Sequence, residues 1–421
     1  MKIALVGIGG YGEVYLAALL AKSTPGLQFV AGVDPAAERC TRLAQVKAAN
    51  VPIFPSLATM YTAGIVPDLA VIASPLQLHA EQSIYAMEHG SHVLVEKPIT
   101  ASLDELERMI AVRDRTGRHL AVGFQWAYSS GVQRLKRDII AGRFGKPLRM
   151  KTRVYWPRDS VYYGRNGWAG RLRTPDGRAV LDSPVNNACA HFLQNMLFLL
   201  GPSENVSDFP SEVAAELYRV NPIENYDTAI LRCTTQRGVE LFAALSHATQ
   251  TTVEPEFEFT FDRGVVWSGS ATGYRIYSRT DAGEEVDYGP QPMGGDVGKL
   301  PETVAAIAAR RPPICSAEAA AAHVALTLAV QQSCDPSDVP ADTVEVKNFP
   351  NGRAARFMRG LDATLDRCYA TAKLPRELNI IWASTSTPIS ALTGLSFPHR
   401  SRPTAYIAPA VTAPALSAIP G

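Results

Sequence analysis

The chain begins with a glycine-rich turn between an apolar segment and a helical one. Residues 2–7 (KIALVG) form a predicted buried strand and residues 13–22 a predicted helix. The turn between them matches G-x-G-x-x-G in the strand–turn–helix setting that the motif requires. It consists of Gly7, Ile8, Gly9, Gly10, Tyr11 and Gly12. The first glycine permits the tight turn, the second lets a pyrophosphate approach the backbone, and the third lets helix and strand pack closely. We predict a dinucleotide site here, with a purely structural turn as the alternative.

The next predicted strand indicates which dinucleotide binds. Residues 27–34 (LQFVAGVD) end in Asp34, about 20 residues beyond the motif, where an acid binds the ribose hydroxyls of the adenosine. A carboxylate there repels a 2′-phosphate, which favours NAD. Arg39 lies further along the next predicted helix, and a nearby arginine is what NADP enzymes use. We therefore predict NAD as the cofactor and keep NADP as the alternative.

Strands and helices then alternate as far as residue 124. Strands are predicted near 53–54 and over 68–73, 91–95 and 120–124, with helices at about 36–49, 76–90 and 103–115. This spacing is typical of right-handed βαβ units in a parallel sheet. The fold class predicted for this half is a doubly wound, Rossmann-type α/β sheet.

Several side chains lie at predicted strand tips, where open α/β sheets bind their ligands. Ser74 and Pro75 follow one strand, and Glu96 and Lys97 follow another and precede a proline. The proline disfavours a helical backbone at Lys97, and a lysine beside a cofactor can act as a proton donor or acceptor. Alone, Lys97 could equally be a surface lysine. His79 opens the helix after Pro75, and it either starts that helix or faces the nicotinamide.

Composition excludes some classes of protein. The 421 residues are 46% hydrophobic and 19% charged, with a formal net charge of +1, so neither nucleic acid nor an anionic membrane is an expected partner. No apolar run approaches the length of a membrane span. The chain opens on a strand rather than a signal peptide, so a cytoplasmic location is expected. The six cysteines form no C-x-x-C pair, so we predict mostly buried thiols and no metal site.

Four motifs in this order and spacing resemble the Gfo/Idh/MocA family of oxidoreductases. They are G-x-G-G-Y-G, the V-D-P end of the second strand, A-S-P-L-x-L-H and E-K-P. The resemblance covers the first half and continues through residues 122–147. It implies a second α/β domain with an open, mostly antiparallel sheet, NAD(P)-dependent oxidation or reduction of sugars, inositols and related polyols, and a catalytic role for Lys97.

The resemblance also bears on the segment that precedes the apolar helix at 192–200. Family members carry D-x-G-x-H there, with the histidine near the substrate and the lysine. His191 fits the histidine, whereas Asn187 stands at the aspartate position and Cys189 at the glycine. An asparagine cannot accept a proton, so more weight falls on Lys97. Asp182 is one candidate for a displaced carboxylate, and a core role for His191 is the alternative.

Further residues are predicted to line a substrate cleft. Residues 156–173 are dense in Arg, Tyr, Trp, Asn and Gly, which suits a hydroxylated or carboxylated substrate; an ordinary loop or a nucleic-acid-like surface is the alternative. Residues 148–156 alternate as a strand whose residues 153 and 155 share a face. The predicted substrate-binding residues are Tyr128, Arg153, Tyr155, Trp168, Asn187 and His191.

The predicted domains are a dinucleotide-binding domain (1–124), a substrate and oligomerisation domain (125–350), a helical extension packed on the body from about 351 to 400, and a disordered tail (401–421). A sheet with one uncovered face commonly buries it against another copy, so a homodimer or homotetramer is expected.

The favoured function is an NAD(P)-dependent oxidoreductase acting on a secondary alcohol or carbonyl of a sugar, inositol or related polyol, with Lys97 as general acid/base. Two alternatives remain: an NAD-dependent glycoside hydrolase of the same fold, and a non-catalytic dinucleotide-binding sensor.

Overall fold

A computed structural model describes residues 1–292, 298–384 and 389–390. The predicted tail, 401–421, lies outside the described residues, as do residues 391–400. Among the described residues, no helix combines the length and the apolar character that crossing a bilayer requires.

The first part of the chain folds into a parallel sheet with helices packed against it. In the described chain this sheet has the order β3-β2-β1-β4-β5-β6. Its strands are β1 (Lys2–Val6), β2 (Gln28–Val33), β3 (Ile53–Phe54), β4 (Leu69–Ile72), β5 (His92–Val95) and β6 (Leu120–Val122). Its helices are α1 (Gly12–Leu20), α2 (Leu43–Ala48), α3 (Leu57–Thr62), α4 (His79–Glu88) and α5 (Leu103–Thr116). The order reverses between β1 and β4, and a ligand crevice opens at such a reversal. The predicted Rossmann-type sheet is confirmed.

A larger mixed sheet follows. Over the described ranges its order is β14-β13-β12-β11-β7-β10-β9-β8-β15, and β18 pairs with β8. Its pairs are antiparallel except for β7 with β10 and β8 with β15. The strands are β7 (Pro147–Tyr155), β8 (Pro210–Arg219), β9 (Thr228–Thr235), β10 (Glu240–Ser246), β11 (Val253–Phe261), β12 (Gly264–Ser268), β13 (Arg275–Thr280), β14 (Glu285–Pro290), β15 (Ser337–Asp338) and β18 (Ile389–Ser390). The open, mostly antiparallel sheet expected from the resemblance is confirmed.

Helices cover both faces at the centre of this sheet. On one face, Met150 and Val154 of β7 join the core built with α8 (Ala190–Leu199) and α10 (Ala317–Ser333). On the other face, Tyr155 packs with α11 (Leu361–Thr371). The remaining helices of this half are α6 (Ser130–Ile140), α7 (Ser160–Gly164) and α9 (Lys299–Ala308). The predicted oligomer rested on an uncovered face, and α11 covers part of that face within the same chain.

The chain returns to the first sheet after the second is complete. Leu300 of α9 packs in the cluster that contains Leu5 of β1 and Leu94 of β5. Cys315, just before α10, accepts a hydrogen bond at 2.9 Å from the backbone nitrogen of Val122, which extends the edge of β6. The two halves are therefore joined by packing as well as by the connection at residue 123.

The helical extension predicted from about residue 351 does not begin as a helix. Residues Ala354–Met358 form strand β17, which pairs with β16 (Val344–Asn348), and α11 starts only after Gly360. Gly360 has a φ of +78°, a conformation that ends a strand and cannot continue a helix. The predicted helix at 36–49 is likewise a single turn, Ala37–Arg39, followed by α2.

Candidate active site

The glycine turn after β1 leaves no room for side chains where helix and strand meet. Gly7 has a φ of +80°, and a Cβ there would lie 2.8 Å from the backbone nitrogen of Ser74. A Cβ on Gly12 would lie 1.8 Å from the carbonyl oxygen of Gly7, whereas Gly9 has open space around it. The turn therefore holds α1 against β1 and leaves the middle glycine accessible, which suits a bound pyrophosphate.

Asp34 lies beside this turn. Its carboxylate accepts hydrogen bonds from the backbone nitrogen of Ile8 at 3.0 Å and from that of Ala36 at 2.9 Å. The end of β2 is thereby fixed against the glycine turn, where an acid reaches the adenosine ribose. Arg39 is exposed on the following turn. The residues present fit a bound NAD.

His79 connects two strand tips. Its side chain is buried, with Nδ1 2.9 Å from the carbonyl oxygen of Pro98 and Nε2 2.9 Å from that of Ser74. Burial lowers the pKa of this histidine. Both ring nitrogens thus face backbone carbonyl oxygens, and the neutral ring donates to one of them, which favours the structural alternative over a role facing the nicotinamide. The Ser74 hydroxyl donates to Gln82 Oε1 at 2.5 Å, and Pro75 is exposed beside it.

Lys97 stands at the tip of β5 and reaches into the second half of the chain. Its Nζ donates to the carbonyl oxygen of Asn187 at 2.8 Å and to Asn187 Oδ1 at 3.1 Å. The peptide bond between Lys97 and Pro98 is cis. Asn187 belongs to a π-helical turn, Pro184–Ala188, that immediately precedes α8. Residues 90 positions apart therefore meet beyond the carboxyl end of β5.

A buried carboxylate lies one side chain further on. Asn187 Nδ2 donates to Asp182 Oδ1 at 2.8 Å, and the other oxygen of Asp182 accepts from the backbone nitrogen of Gly170 at 2.7 Å. Arg165 lies 3.4 Å from the same carboxylate. Asp182, considered from the sequence as a displaced carboxylate, is thus linked to Lys97 through the Asn187 amide.

The surroundings of Lys97 adjust its proton affinity. Burial lowers its pKa from 10.5 to about 8; Lys299 acts in the same direction, whereas Glu96 and Asp182 oppose it. An amine with this pKa is partly neutral near physiological pH and can accept a proton.

His191 lies in the first turn of α8. Its ring meets Phe124 edge to face, with centroids 5.8 Å apart. Its pKa is held well below 6.5, first by burial and then by the charges of Lys97 and Lys299. Nδ1 is buried and has no hydrogen-bond partner within the described residues. The side chain as a whole is only partly buried, so the exposed part of this neutral imidazole can contact a substrate hydroxyl.

Lys299 was not predicted from the sequence. It lies on the first turn of α9, its side chain is fully buried, and its Nζ is 2.5 Å from Glu96 Oε1 and 3.0 Å from the Tyr11 hydroxyl. The Tyr15 hydroxyl donates to the same carboxylate oxygen at 2.7 Å. Burial opposes the charge of Lys299, but Glu96 outweighs it and raises the pKa of this lysine. The cluster joins the glycine turn to the residue preceding Lys97.

The sequence carried one signal for Lys299. Leu300, Thr303 and Ala306 are buried on one face of α9, and Lys299 continues that face. A lysine on the buried stripe of a helix indicates a buried partner, although the sequence does not show which one.

Arg153 and Tyr155 were predicted to line the substrate cleft, and the structure places them elsewhere. Arg153 is 2.6 Å from Glu256 and 2.7 Å from Asp366, and the Tyr155 hydroxyl donates to Asp366 at 3.1 Å. They do share a face of β7, as alternation predicts, but it is the face covered by α11. Lys97 contacts the turn before α8, on the opposite face, so we leave both residues out of the proposed site.

Tyr128 and Trp168 differ in their positions. The Tyr128 hydroxyl donates to the carbonyl oxygen of Val122 at 3.1 Å, so it is turned into the protein. Trp168 packs in a small cluster with Leu76 and Val180, and the guanidinium of Arg165 lies 5.1 Å from its ring. Trp168 is therefore next to the Asp182 network, whereas Tyr128 is not.

A cavity of about 510 Å³ opens beside the Asp182 loop. Its lining is Tyr163, Asn166, Gly167, Ala169, Arg171, Pro222, Ile223 and Glu224. Five of these residues belong to the segment 156–173 that was predicted to line a substrate cleft. None of the individually predicted substrate-binding residues lines the cavity, so it is a neighbour of the Lys97 site rather than its centre. No group of three or more His, Cys, Asp or Glu side chains in the described ranges could hold a metal ion.

Comparison with known proteins agrees with this geometry. Residues 1–124 match the family model GFO_IDH_MocA, described as an oxidoreductase family with an NAD-binding Rossmann fold. The resemblance stated from the motifs is confirmed over that range, and so is NAD as the predicted cofactor.

Two curated relatives are similar over part of their length. Scyllo-inositol 2-dehydrogenase (NAD(+)) of Bacillus subtilis is 31% identical over 151 residues, which are 36% of this chain and 43% of that protein. A glycosyl hydrolase family 109 protein of Saccharopolyspora erythraea is 29% identical over 158 residues, 35% of this chain and 33% of that one. The chain thus spans less than half the length of these relatives.

Solved structures share the fold over a longer range. The WlbA dehydrogenase from Bordetella pertussis, solved in complex with NADH and UDP-GlcNAcA, has a TM-score of 0.66 and 23% identity, covering 79% of this chain and 95% of that one. At this identity the likeness shows the two-domain fold alone.

Proposed function

We propose that this protein oxidises a secondary alcohol, or reduces the corresponding carbonyl, of a sugar, inositol or related polyol. Its residues 1–124 match an NAD-binding oxidoreductase family. The observation that carries the proposal is the Lys97 amine, which has a pKa of about 8 and meets Asn187 at the tip of β5. NAD, when bound, supplies the ring that accepts or donates hydride. Residues 7–12 and Asp34 would hold it.

Lys97 moves the proton. In oxidation its neutral amine accepts the hydrogen of the substrate hydroxyl, and in reduction the protonated amine returns it. Asn187 cannot take that proton, but its amide links the amine to the Asp182 carboxylate, which favours the positive charge that Lys97 acquires. His191, neutral and partly exposed, positions a neighbouring hydroxyl.

Two observations support a polyol or sugar as substrate. The names of the scyllo-inositol dehydrogenase and of the UDP-GlcNAcA complex refer to hydroxylated rings. The polar side chains beside Lys97 include the amide of Asn187 and the imidazole of His191, which can form hydrogen bonds with hydroxyl groups.

A substrate panel tests the proposal. Purified protein with NAD is supplied with inositols, aldoses and sugar acids, and formation of the reduced nicotinamide is followed by its absorbance. We expect turnover on at least one of them and a loss of about 10²- to 10⁴-fold in kcat for Lys97→Met. Normal turnover by Lys97→Met would contradict the assignment.

A second candidate is a glycoside hydrolase that uses NAD as a transient redox partner. It is favoured by the similarity to the glycosyl hydrolase family 109 protein. Such an enzyme would release sugar from a glycoside without accumulating reduced nicotinamide. A sensor that binds NAD without turnover was the third interpretation of the sequence, and the same panel tests it.

The cytoplasmic location and the homodimer or homotetramer stay predictions. Size-exclusion chromatography with light scattering would measure the oligomeric state.

A further inference from the structure

Arg158 follows β7 directly, at its carboxyl end. Its guanidinium carbon lies 5.5 Å from the ring centroid of Trp156 and 4.8 Å from that of Tyr162. Its Nε is buried, and no hydrogen-bond acceptor contacts it among the residues that the structure describes. The described side chains also include no carboxylate within ion-pair distance of this arginine, which is only partly exposed to solvent.

Other arginines around the site do have a carboxylate. Arg165 lies 3.4 Å from Asp182, and Arg178 lies 3.0 Å from Glu81. A cation that is partly removed from water is unfavourable unless an anion or hydrogen-bond acceptors compensate it. Within the described chain, no anion or hydrogen-bond acceptor compensates the charge of Arg158. The aromatic rings beside Arg158 offset only part of the cost of burying that charge.

Arg158 is connected to the Lys97 site through two sets of neighbouring side chains. The ring of Tyr162 lies between Arg158 and Arg165, 3.8 Å from the latter, and Arg165 continues through Asp182 to the Asn187 that binds Lys97. The buried thiol of Cys189 forms the second connection. Burial raises the pKa of this thiol to about 12, and the nearby charges of Arg158 and Lys97 both oppose that rise.

A second side chain with a buried, unpaired polar atom lies beside Arg158. The backbone nitrogen of Arg158 donates to the carbonyl oxygen of His247 at 2.9 Å. His247 is buried, its Nε2 has no partner in the described residues, and burial together with the charge of Arg158 holds its pKa well below 6.5. A neutral imidazole adds no second positive charge beside Arg158.

We propose that the substrate carries a carboxylate, and that Arg158 binds it while Lys97 acts on a hydroxyl-bearing carbon of the same molecule. A guanidinium matches a carboxylate with two parallel hydrogen bonds, and its flat face stacks on aromatic rings such as Trp156 and Tyr162. The substrate class is therefore a polyhydroxy acid, such as a uronic or aldonic acid. The reaction at the hydroxyl-bearing carbon rests on the proposed function. The binding of the carboxylate by Arg158 does not depend on it.

The test compares matched substrates. kcat/KM is measured with NAD for glucose and glucuronate, for galactose and galacturonate, and for glucose 6-phosphate. We expect each acid to exceed its neutral sugar by about 10- to 100-fold, the range expected for one charge-assisted contact. Arg158→Gln should remove that preference, and Arg158→Lys should keep part of it. Arg367→Gln is the matched control, because it removes an exposed arginine of α11, which covers the face of the second sheet opposite the Lys97 contact, and it should keep the preference.

Binding of the acid separates this inference from the proposed function. Calorimetric titration of glucuronate and of galacturonate into the NAD-saturated Lys97→Met protein should show binding, and the double variant with Arg158→Gln should lose it. Binding that depends on Arg158, without turnover by the wild type, would contradict the proposed function and support the anion site.

Four results would overturn the inference, three of which concern substrate preference. These three are equal kcat/KM for acids and neutral sugars, an acid preference that survives Arg158→Gln, and an Arg158-dependent preference for the phosphate ester over the carboxylates. Absence of any binding or turnover of the acids would overturn it as well. Retained NADH binding by Arg158→Gln would show that this variant is folded.

Discussion

Replacing Lys97 by methionine should stabilise the protein near neutral pH while it removes activity. Methionine has a similar length and no charge, so the substitution removes the cost of holding a buried cation. The pKa of Lys97 falls from 10.5 to about 8. At about 1.4 kcal/mol per pKa unit, that cost is about 3 kcal/mol. The variant also loses the two hydrogen bonds to Asn187, which contribute about 1 kcal/mol each. The expected net gain near pH 7 is about 1 kcal/mol.

The pH dependence of this gain is more diagnostic than its size. Because the folded pKa of Lys97 lies below the unfolded one, the unfolded chain holds more protons between about pH 8 and about pH 10.5. Wild-type stability therefore rises with pH across that window, and the cost is fully present below it. Between about pH 7 and about pH 9.5 the advantage of Lys97→Met should fall by about 2 kcal/mol and reverse in sign.

Urea unfolding at these two pH values, followed by tryptophan fluorescence, measures the difference. Lys146→Met is the matched control, because Lys146 is exposed and its replacement should give no pH-dependent gain. A Lys97→Met variant that is less stable than the wild type by the same amount at both pH values would refute the reasoning. It would mean that the Lys97 cation is not destabilised in the fold.

Three further predictions follow from the site. Lys299→Met leaves the Glu96 carboxylate buried and unpaired, so it should lower the free energy of unfolding by about 3 kcal/mol, and Glu96→Gln in the same chain should restore most of it; urea unfolding without such a rescue would contradict the ion pair. Asn187→Asp places a carboxylate against the Lys97 amine and should raise its pKa, so the rise of kcat/KM with pH in the oxidative direction should move to higher pH; an unchanged profile would argue against Lys97 as the base. Gly12→Ala should weaken NADH binding at least tenfold in a fluorescence titration, since its Cβ would lie 1.8 Å from a backbone oxygen of the turn; unaltered affinity would contradict the tight-turn geometry.

The elements predicted best from the sequence are those whose structure depends on residues close together in the chain. The glycine turn, the strand ending in Asp34 and helices α1, α4 and α5 each follow from a pattern within a few residues. The placement of Lys97 at a strand tip follows from the strand and the proline beside it. Its contact with Asn187 required the family resemblance as well.

What could not be predicted depends on contacts between distant segments. Alternation shows that Arg153 and Tyr155 share a face, but not which helix covers it, and α11 begins more than 200 positions later. The pairing of Lys299 with Glu96 joins residues at similar separation. The strand at Ala354–Met358 exists because β16 pairs with it, and its composition alone is compatible with a helix.

The return of α9 and α10 to the first sheet has a consequence for synthesis. A chain leaving the ribosome completes residues 1–124 long before it reaches Lys299 and Cys315. Until then the Glu96 carboxylate lacks its counter-ion, and the backbone nitrogen of Val122 at the sheet edge lacks its acceptor. The nucleotide-binding half is thus unfinished when its own sequence ends, so cutting the gene at residue 124 would yield a fragment with an open edge and an uncompensated charge rather than a self-sufficient module.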